Sequence, residues 1–487
     1  MRHAMKRLGT PLRAAALAGA ALLLPGCAVG PDYQRPPFDA PAAWRLDYAQ
    51  AAELANLRWW EQFQDPTLNE LIATALRRNQ DIRIAAERIE QFLGQLQSTR
   101  AQFFPQLGYG LEASRNRTSE RNFSALPAGK DPWYSLYQGT VSADWQIDLF
   151  GRVRRQSEAA QARVYASEQG RRGTLLTVVS GVAAGYVTLR SLDRQLEIAR
   201  ATADNYAGTL RIFRLRFQGG VVSQVELSQV ESQYRQAMIA IPQLEQQIAV
   251  QENLLSVLLG QPPGPIPRGR AIGELALPVV PPGLPSSLIE RRPDVLQAEQ
   301  NLIAANADIG AARAQYFPAL SLTGMLGSLS TAASDFLSAP SRVATLAAGL
   351  SGPIFTFGGI EGQVRASEAG ARAATADYQR TILYALRDTD DALVGARKSA
   401  EAYFEQESRV RALREYARLS RLRFENGSAS YLEVLYADNE LFGAELAAVG
   451  AGSERLVQLI GVYRALGGGW VDEADTLSGV DKKDGSG

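Results

Sequence analysis

Histidine and cysteine are almost absent from this chain. Its 487 residues include one of each, His3 and Cys27, both close to the N-terminus. If residues 1–26 are removed as a signal, no histidine and no second thiol remain. That excludes Ser-His-Asp catalysis, Cys-His nucleophiles, His/Cys zinc sites and His-ligated haem. A disulfide within the chain is excluded as well. Charge excess is also missing: 51 Lys+Arg stand against 51 Asp+Glu, without the basic surplus of a nucleic-acid binder. Long apolar runs are lacking beyond the N-terminus. The uncharged stretch 343–360 is interrupted by Gly, Pro and Thr, so no transmembrane helix is expected in the mature chain. Apolar residues at 46% and charged ones at 21% describe a folded protein, not a disordered one.

What is present begins with an address. Arg2, Lys6, Arg7 and Arg13 precede an apolar run from Ala14 to Leu24, followed by Pro25, Gly26 and Cys27. A basic start, a short apolar stretch and a small residue before cysteine form a lipoprotein signal peptide, 1–26, with Cys27 as the lipidation site. An ordinary signal with a chance cysteine is the alternative. Several acyl chains at about 0.8 kcal/mol per buried methylene would hold Cys27 in a membrane. Ala28, in place of an aspartate, favours the outer membrane. Removing four basic residues and no acidic one leaves a net charge of about −4.

The rest is a tandem duplication. RAQFFPQL at 100–107 returns as RAQYFPAL at 313–320, an offset of 213. RLRFQGG at 214–220 returns as RLRFENG at 421–427, an offset of 207. The first copy therefore has the longer loop between its Phe-Pro and Phe-Gly landmarks.

Within each copy, long helices alternate with two short strands. Leu68, Leu71, Ala75, Ile82, Ala85, Ile89, Phe92 and Leu96 follow coiled-coil spacing, as do positions from Leu227 to Leu258. Helices are predicted near 67–103 and 223–260, with Pro242 kinking or weakening the second. Longer ones are predicted over 152–217 and 359–424, each about 100 Å at 1.5 Å per residue. Phe-Pro ends a helix before each strand pair. Leu107, Tyr109, Leu111 and Ala113 alternate with Gly and polar residues, and so do 141–149, 320–326 and 344–356. Each segment is near the length of a transmembrane β-strand; soluble hairpins capping the helices are the alternative. Four strands cannot close a barrel in lipid, so a membrane role requires two, three or four chains.

At the helix tips, Gly220 and Gly427 suit C-terminal caps. Ser223 with Glu226, and Ser430 with Glu433, read as capping boxes. Glu226 and Glu433 would alternatively collect cations at a pore mouth. Leu432 and Tyr436 share one helical face. Arg216, Phe217, Arg423 and Phe424 are candidates for docking a partner or for packing inside the hairpin. Asp388, Asp390 and Asp391 spread around their helix, which points to a solvated face or tunnel lining over a catalytic pair.

Taken together, CAVGPDYQRP after the signal, WWEQFQDPTLNELI at 59–72, the Phe-Pro strand entries and the two RLRF-x-x-G tips resemble an outer-membrane factor of the TolC family, in its OprM-like (NodT-type) lipoprotein subgroup. The resemblance covers about residues 27–470. It implies a mainly α fold with β: duplicated coiled-coil helices plus four transmembrane strands per chain. It implies a homotrimer with a twelve-stranded β-barrel and a twelve-helix periplasmic α-barrel, in the outer membrane of a Gram-negative bacterium. The implied function is passive efflux of drugs or other small toxic compounds from an inner-membrane resistance–nodulation–division pump through a periplasmic adaptor. No cofactor, metal, catalytic residue or nucleic acid is involved on this reading. The layout it implies is a signal at 1–26, a lipid-anchored and equatorial segment at 27–66, and a first helix at 67–104. A hairpin at 105–150, helices and tip at 151–260 and an equatorial linker at 261–284 follow. The second copy supplies a helix at 285–317, a hairpin at 318–357 and helices and tip at 358–466, before a C-terminal segment at 467–487. By position after Gly427, Leu432, Glu433 and Tyr436 form the periplasmic gate. Arg216, Phe217, Gly220, Ser223, Glu226, Arg423, Phe424, Gly427 and Ser430 form the adaptor-docking tips. Tyr436 departs from the family, whose members often carry Asp there, and Glu433 is the nearest acidic replacement. A type I protein-secretion channel and a periplasmic coiled-coil adaptor or scaffold are the competing readings.

Overall fold

The computed structural model describes residues 28–38, 58–119, 131–278 and 291–467. The expected signal peptide, Cys27, most of the first hairpin's loop, part of the expected equatorial linker and most of the expected C-terminal segment lie outside them. The elements are α1 (Pro66–Arg78), α2 (Gln80–Ala101), β1 (Gln106–Arg117), β2 (Trp133–Ile147), α3 (Arg152–Gln218) and α4 (Gln224–Leu258). The second copy supplies α5 (Pro293–Arg313), β3 (Ala319–Ser330), β4 (Arg342–Ser351), α6 (Gly359–Glu425) and α7 (Tyr431–Ala465). Helices α3 and α6 each have 67 residues, and α4 and α7 each have 35. Helix α4 runs unbroken through Pro242.

The chain divides into two compact units. The first comprises Met1–Pro36, Glu90–Ala166 and Glu299–Asp377. It holds a four-stranded antiparallel sheet in the order β1-β2-β3-β4. The register sorts side chains by face. Leu107 pairs with Ala143 and Tyr109 with Val141; Val141 pairs with Leu326, Ile147 with Leu320, and Leu320 with Leu350. Directly paired residues project to the same side, so these form one apolar face. The other face carries Glu112 opposite Gln138, Asp144 opposite Thr323, and Ser321 opposite Gly349. Leu107, Tyr109, Leu111, Leu326 and Leu346 are exposed. An exposed apolar face backed by a polar one is the signature of a strand set between lipid and an aqueous lumen. Strand β4 stops at Ser351, short of the expected 356, where Gly352 and Pro353 end the pairing.

A strap from the N-terminal side is fastened to this unit. The Val29 amide donates to the Phe150 carbonyl at 3.2 Å. Arg155 donates to Asp32 at 2.6 Å, Arg35 to Glu299 at 2.6 and 2.5 Å, and Asn306 to the Pro31 carbonyl at 2.9 Å. Gly30 sits at φ 112, where a Cβ would lie 2.4 Å from the Gly310 Cα, so no other residue fits without displacement. The Gly-Pro-Asp-Tyr run thus has a structural cause that sequence reading alone did not supply.

The second unit comprises Pro37–Ile89, Ser167–Ala298 and Tyr378–Gly487. Its core gathers Trp59, Phe63, Leu68 and Ile72 against Leu175, Val179, Tyr186 and Ile460. Trp59 stacks on Tyr463 at 5.2 Å. Helix α3 contains a stretch apolar and long enough to cross a membrane, which the sequence reading did not anticipate; most of that stretch is buried within the protein.

The single helix expected over 67–103 is two. It breaks at Asn79, whose backbone is extended. The Asn79 side-chain amide donates to the Leu258 carbonyl at 2.8 Å, and its Oδ1 accepts from the Ile82 amide at 3.1 Å. One side chain therefore caps the start of α2 and takes the last carbonyl of α4. In the second copy, Arg292 donates to the Ala465 carbonyl, the last of α7, at 2.9 Å. Charge-assisted bonding by Arg to a helix C-terminus suits the macrodipole.

Candidate functional site

The helix tips lie in the second unit. Helix α3 ends in a pair of closing bonds: the Gly220 amide donates to Phe217 and the Val221 amide to Arg216, both at 2.9 Å. Helix α6 repeats them, Gly427 to Phe424 at 3.0 Å and Ser428 to Arg423 at 2.8 Å. Gly220 at φ 72 and Gly427 at φ 68 take the left-handed conformation this turn requires.

The first return helix opens with a complete capping box. The Glu226 amide donates to Ser223 Oγ at 3.2 Å, and the Ser223 amide donates to Glu226 Oε2 at 2.7 Å. These bonds, first the backbone one, hold the Glu226 carboxyl below the usual carboxylate range.

The second box does not form, which corrects the sequence reading. Ser430 makes no side-chain cap bond. Glu433 instead accepts from Arg423 Nη1 at 2.7 Å and from Ser420 Oγ at 3.4 Å. The repeat explains the difference. Offset by 207, Arg216 corresponds to Arg423 and Phe213 to Ser420. Phe213 occupies its site and lies 5.9 Å beneath the Arg216 guanidinium. The small Ser420 leaves room for a carboxylate to turn inward and take the stronger ionic bond.

Leu432 and Tyr436 are not seam residues. They are 48% and 60% exposed, while Val434, Leu435 and Ala437 beside them are buried. The seam is filled from other positions: Leu210, Phe213, Val230 and Leu435 cluster together. Tyr431 packs against Phe213 at 4.4 Å and Phe424 at 5.0 Å. Phe424 therefore serves packing, and Arg423 serves Glu433, whereas Phe217 is exposed.

The α6–α7 hairpin is laced by ion pairs that the sequence reading missed: Arg409–Glu440, Arg414–Glu445 and Arg421–Asp438. Their spacing across a turn carries no local signal. Burial raises the Asp438 carboxyl above its ordinary value, and Arg421 opposes the rise without cancelling it. An acid with a raised folded pKa stabilises the fold below its unfolded pKa and loses that contribution as pH rises through the folded one. Asp438→Asn is therefore expected to flatten the stability profile just above the ordinary aspartate pKa. Thermal melts of both proteins across that acid range check it; parallel profiles would contradict it.

Asp388 pairs with Arg387 at 2.6 Å and lies 3.7 Å from Arg292. With Asp391 it lines an open cleft of about 1070 Å³ of mixed polar and apolar lining. Among the described residues, no group of three His, Cys, Asp or Glu side chains is arranged to hold a metal.

The outer membrane efflux protein family matches residues 71–261 and 284–468. This chain belongs to that family. The antibiotic efflux pump outer membrane protein ArpC of Pseudomonas putida is 34% identical over 464 residues, covering 94% of this chain and 96% of that protein. The toluene efflux pump outer membrane protein TtgC, also of Pseudomonas putida, is 33% identical, with the same coverage. The open-state structure of the Neisseria gonorrhoeae MtrE outer membrane channel superposes with a TM-score of 0.82 at 28% identity, covering 91% of this chain and 99% of that one. This outer membrane efflux protein resides in the outer membrane and acts there as an exit duct. It spans that membrane and extends into the periplasm. The four-stranded sheet and paired long helices are the channel fold.

Proposed function

We propose that three copies of this chain assemble into a twelve-stranded outer-membrane barrel continued by a twelve-helix periplasmic barrel. The assembly passively conducts drugs, solvents or other small toxic compounds delivered by an inner-membrane resistance–nodulation–division pump through a periplasmic adaptor. The observation that carries this reading is the sheet, with apolar and polar sides and with both edge strands, β1 and β4, unpaired on their outer sides among the described residues. Open edges in lipid leave backbone groups unbonded, so neighbouring copies must supply their partners. ArpC and TtgC, named for antibiotic and toluene efflux, support the cargo class. Cys27 carries the acyl anchor, and the strap that follows it fastens to the barrel unit.

Leu432 and Tyr436 form the periplasmic plug, because they are the large exposed apolar side chains in the first turns of α7. Glu433 flanks them but spends its charge on Arg423. The tips around Arg216, Phe217, Gly220, Ser223 and Glu226, with Gly427 and Ser430, dock the adaptor, while Arg423 and Phe424 hold the shape of the second tip from within. Lipidated protein in planar bilayers under a salt gradient tests the duct. The expected result is a channel with mild cation preference, set by Glu226 and the partly neutralised Glu433. Anion selectivity would overturn the gate assignment. A verified insertion that never conducts, even in tip-opened variants, would overturn the duct.

A further inference from the structure

We infer that Phe357 stacks on Phe104 of a second copy of this chain, where β4 of one copy pairs with β1 of the next. The inference rests on the oligomeric reading above and specifies its interface. The duplication supplies the register. Within the chain, β2 of the first copy of the repeat pairs with β3 of the second, Ala143 opposite Gly324. Adding the 207 offset to the first position and subtracting the 213 offset from the second turns this pair into Leu350 opposite Leu111. Both residues already lie on the apolar face of their own strands. A one-residue slip would set that face against Gly110 or Glu112 and mix lipid and lumen sides.

The same transformation reaches the residues beyond the strands. Phe150 stacks on Phe317, ring centroids 4.6 Å apart and planes within 20°. Their repeat equivalents are Phe357 and Phe104. These two are 89% and 67% exposed, although their counterparts are paired within the chain. Phe357 also holds φ 50, a strained conformation for a bulky residue, and rests edge-on against Phe355 at 4.4 Å. Phe150, with its partner in place, has no such backbone. The strained, exposed ring lacks the surface that the neighbouring copy's Phe104 carries.

Cross-linking tests the register, since the chain has no cysteine besides Cys27. Residues directly opposed in an antiparallel pair have Cα atoms about 4.5–5.5 Å apart, within disulfide range. Leu111→Cys and Leu350→Cys chains produced together should give a covalent dimer on non-reducing gels after oxidation, and neither variant alone should. Leu111→Cys with Leu346→Cys, four residues out of register, should not cross-link. Bonding at 346 in place of 350 overturns the register. An oligomer on native gels that links at neither position overturns this inference and leaves the oligomeric reading standing; a chain that stays monomeric in the membrane overturns both. For the rings, Phe104→Ala and Phe357→Ala should each lower the oligomer's dissociation temperature, and the double variant should fall no further than the worse single. Additive losses would show that the two rings do not meet.

Discussion

Replacing Leu432 and Tyr436 together by alanine is expected to turn a mostly closed channel into a steadily conducting one. Both side chains are exposed in the single chain and lie one helical turn apart on α7. If they meet their copies across the pore, closure removes their apolar surface from water. Full burial of a leucine-sized side chain is worth about 1.5–3 kcal/mol. Losing about 1.4 kcal/mol of closed-state contact already shifts the closed-to-open ratio tenfold. Mean conductance in planar bilayers should therefore rise at least about tenfold. The helices themselves should survive, because the buried neighbours Val434, Leu435 and Ala437 are untouched. Unchanged conductance in a correctly folded double variant would move the constriction elsewhere.

Asp65→Ala should produce the largest loss of stability. Asp65 is completely buried. It accepts from the Thr67 amide at 2.9 Å, the Leu68 amide at 3.4 Å, the Arg270 amide at 3.0 Å and the Tyr186 hydroxyl at 2.7 Å. The Tyr186 hydroxyl in turn accepts from the Gly269 amide at 2.9 Å. Burial, then the bond to Asp65, pushes the Tyr186 phenol up, so it stays a neutral donor. One carboxylate thus caps α1 and ties it to α3 and the 269–270 segment. Alanine would leave several buried donors unpaired, at a cost of roughly 3–5 kcal/mol. Denaturant unfolding followed by tryptophan emission, with Trp59 and Trp60 in the same core, measures it. A loss below about 1 kcal/mol would mean that water or relaxation replaces the carboxylate.

Much of the architecture was legible because it is periodic. The spacing around Leu227–Leu258 marks a seam, and the alternation at Leu107, Tyr109 and Leu111 marks a two-faced strand. Gly220 and Gly427 were readable as caps, since a left-handed turn leaves few alternatives to glycine. Other features were not local. The break at Asn79 depends on a carbonyl 179 positions away, at Leu258. The second capping box fails because Arg423 competes for Glu433, and that competition depends on the small Ser420 beneath it. The strap residues Asp32, Tyr33 and Arg35 find partners more than 120 positions along the chain.

The sequence by itself determined the repeat and the helix and strand periods. Those properties follow from composition and from interactions a few residues apart, where backbone geometry sets the spacing. Only the tertiary structure decided which carboxylates cap, which pair with arginine, which apolar side chains fill the seam and which stay exposed at the tip. Those outcomes are contests between partners brought together by folding, and burial and charge settle each one where the helices meet.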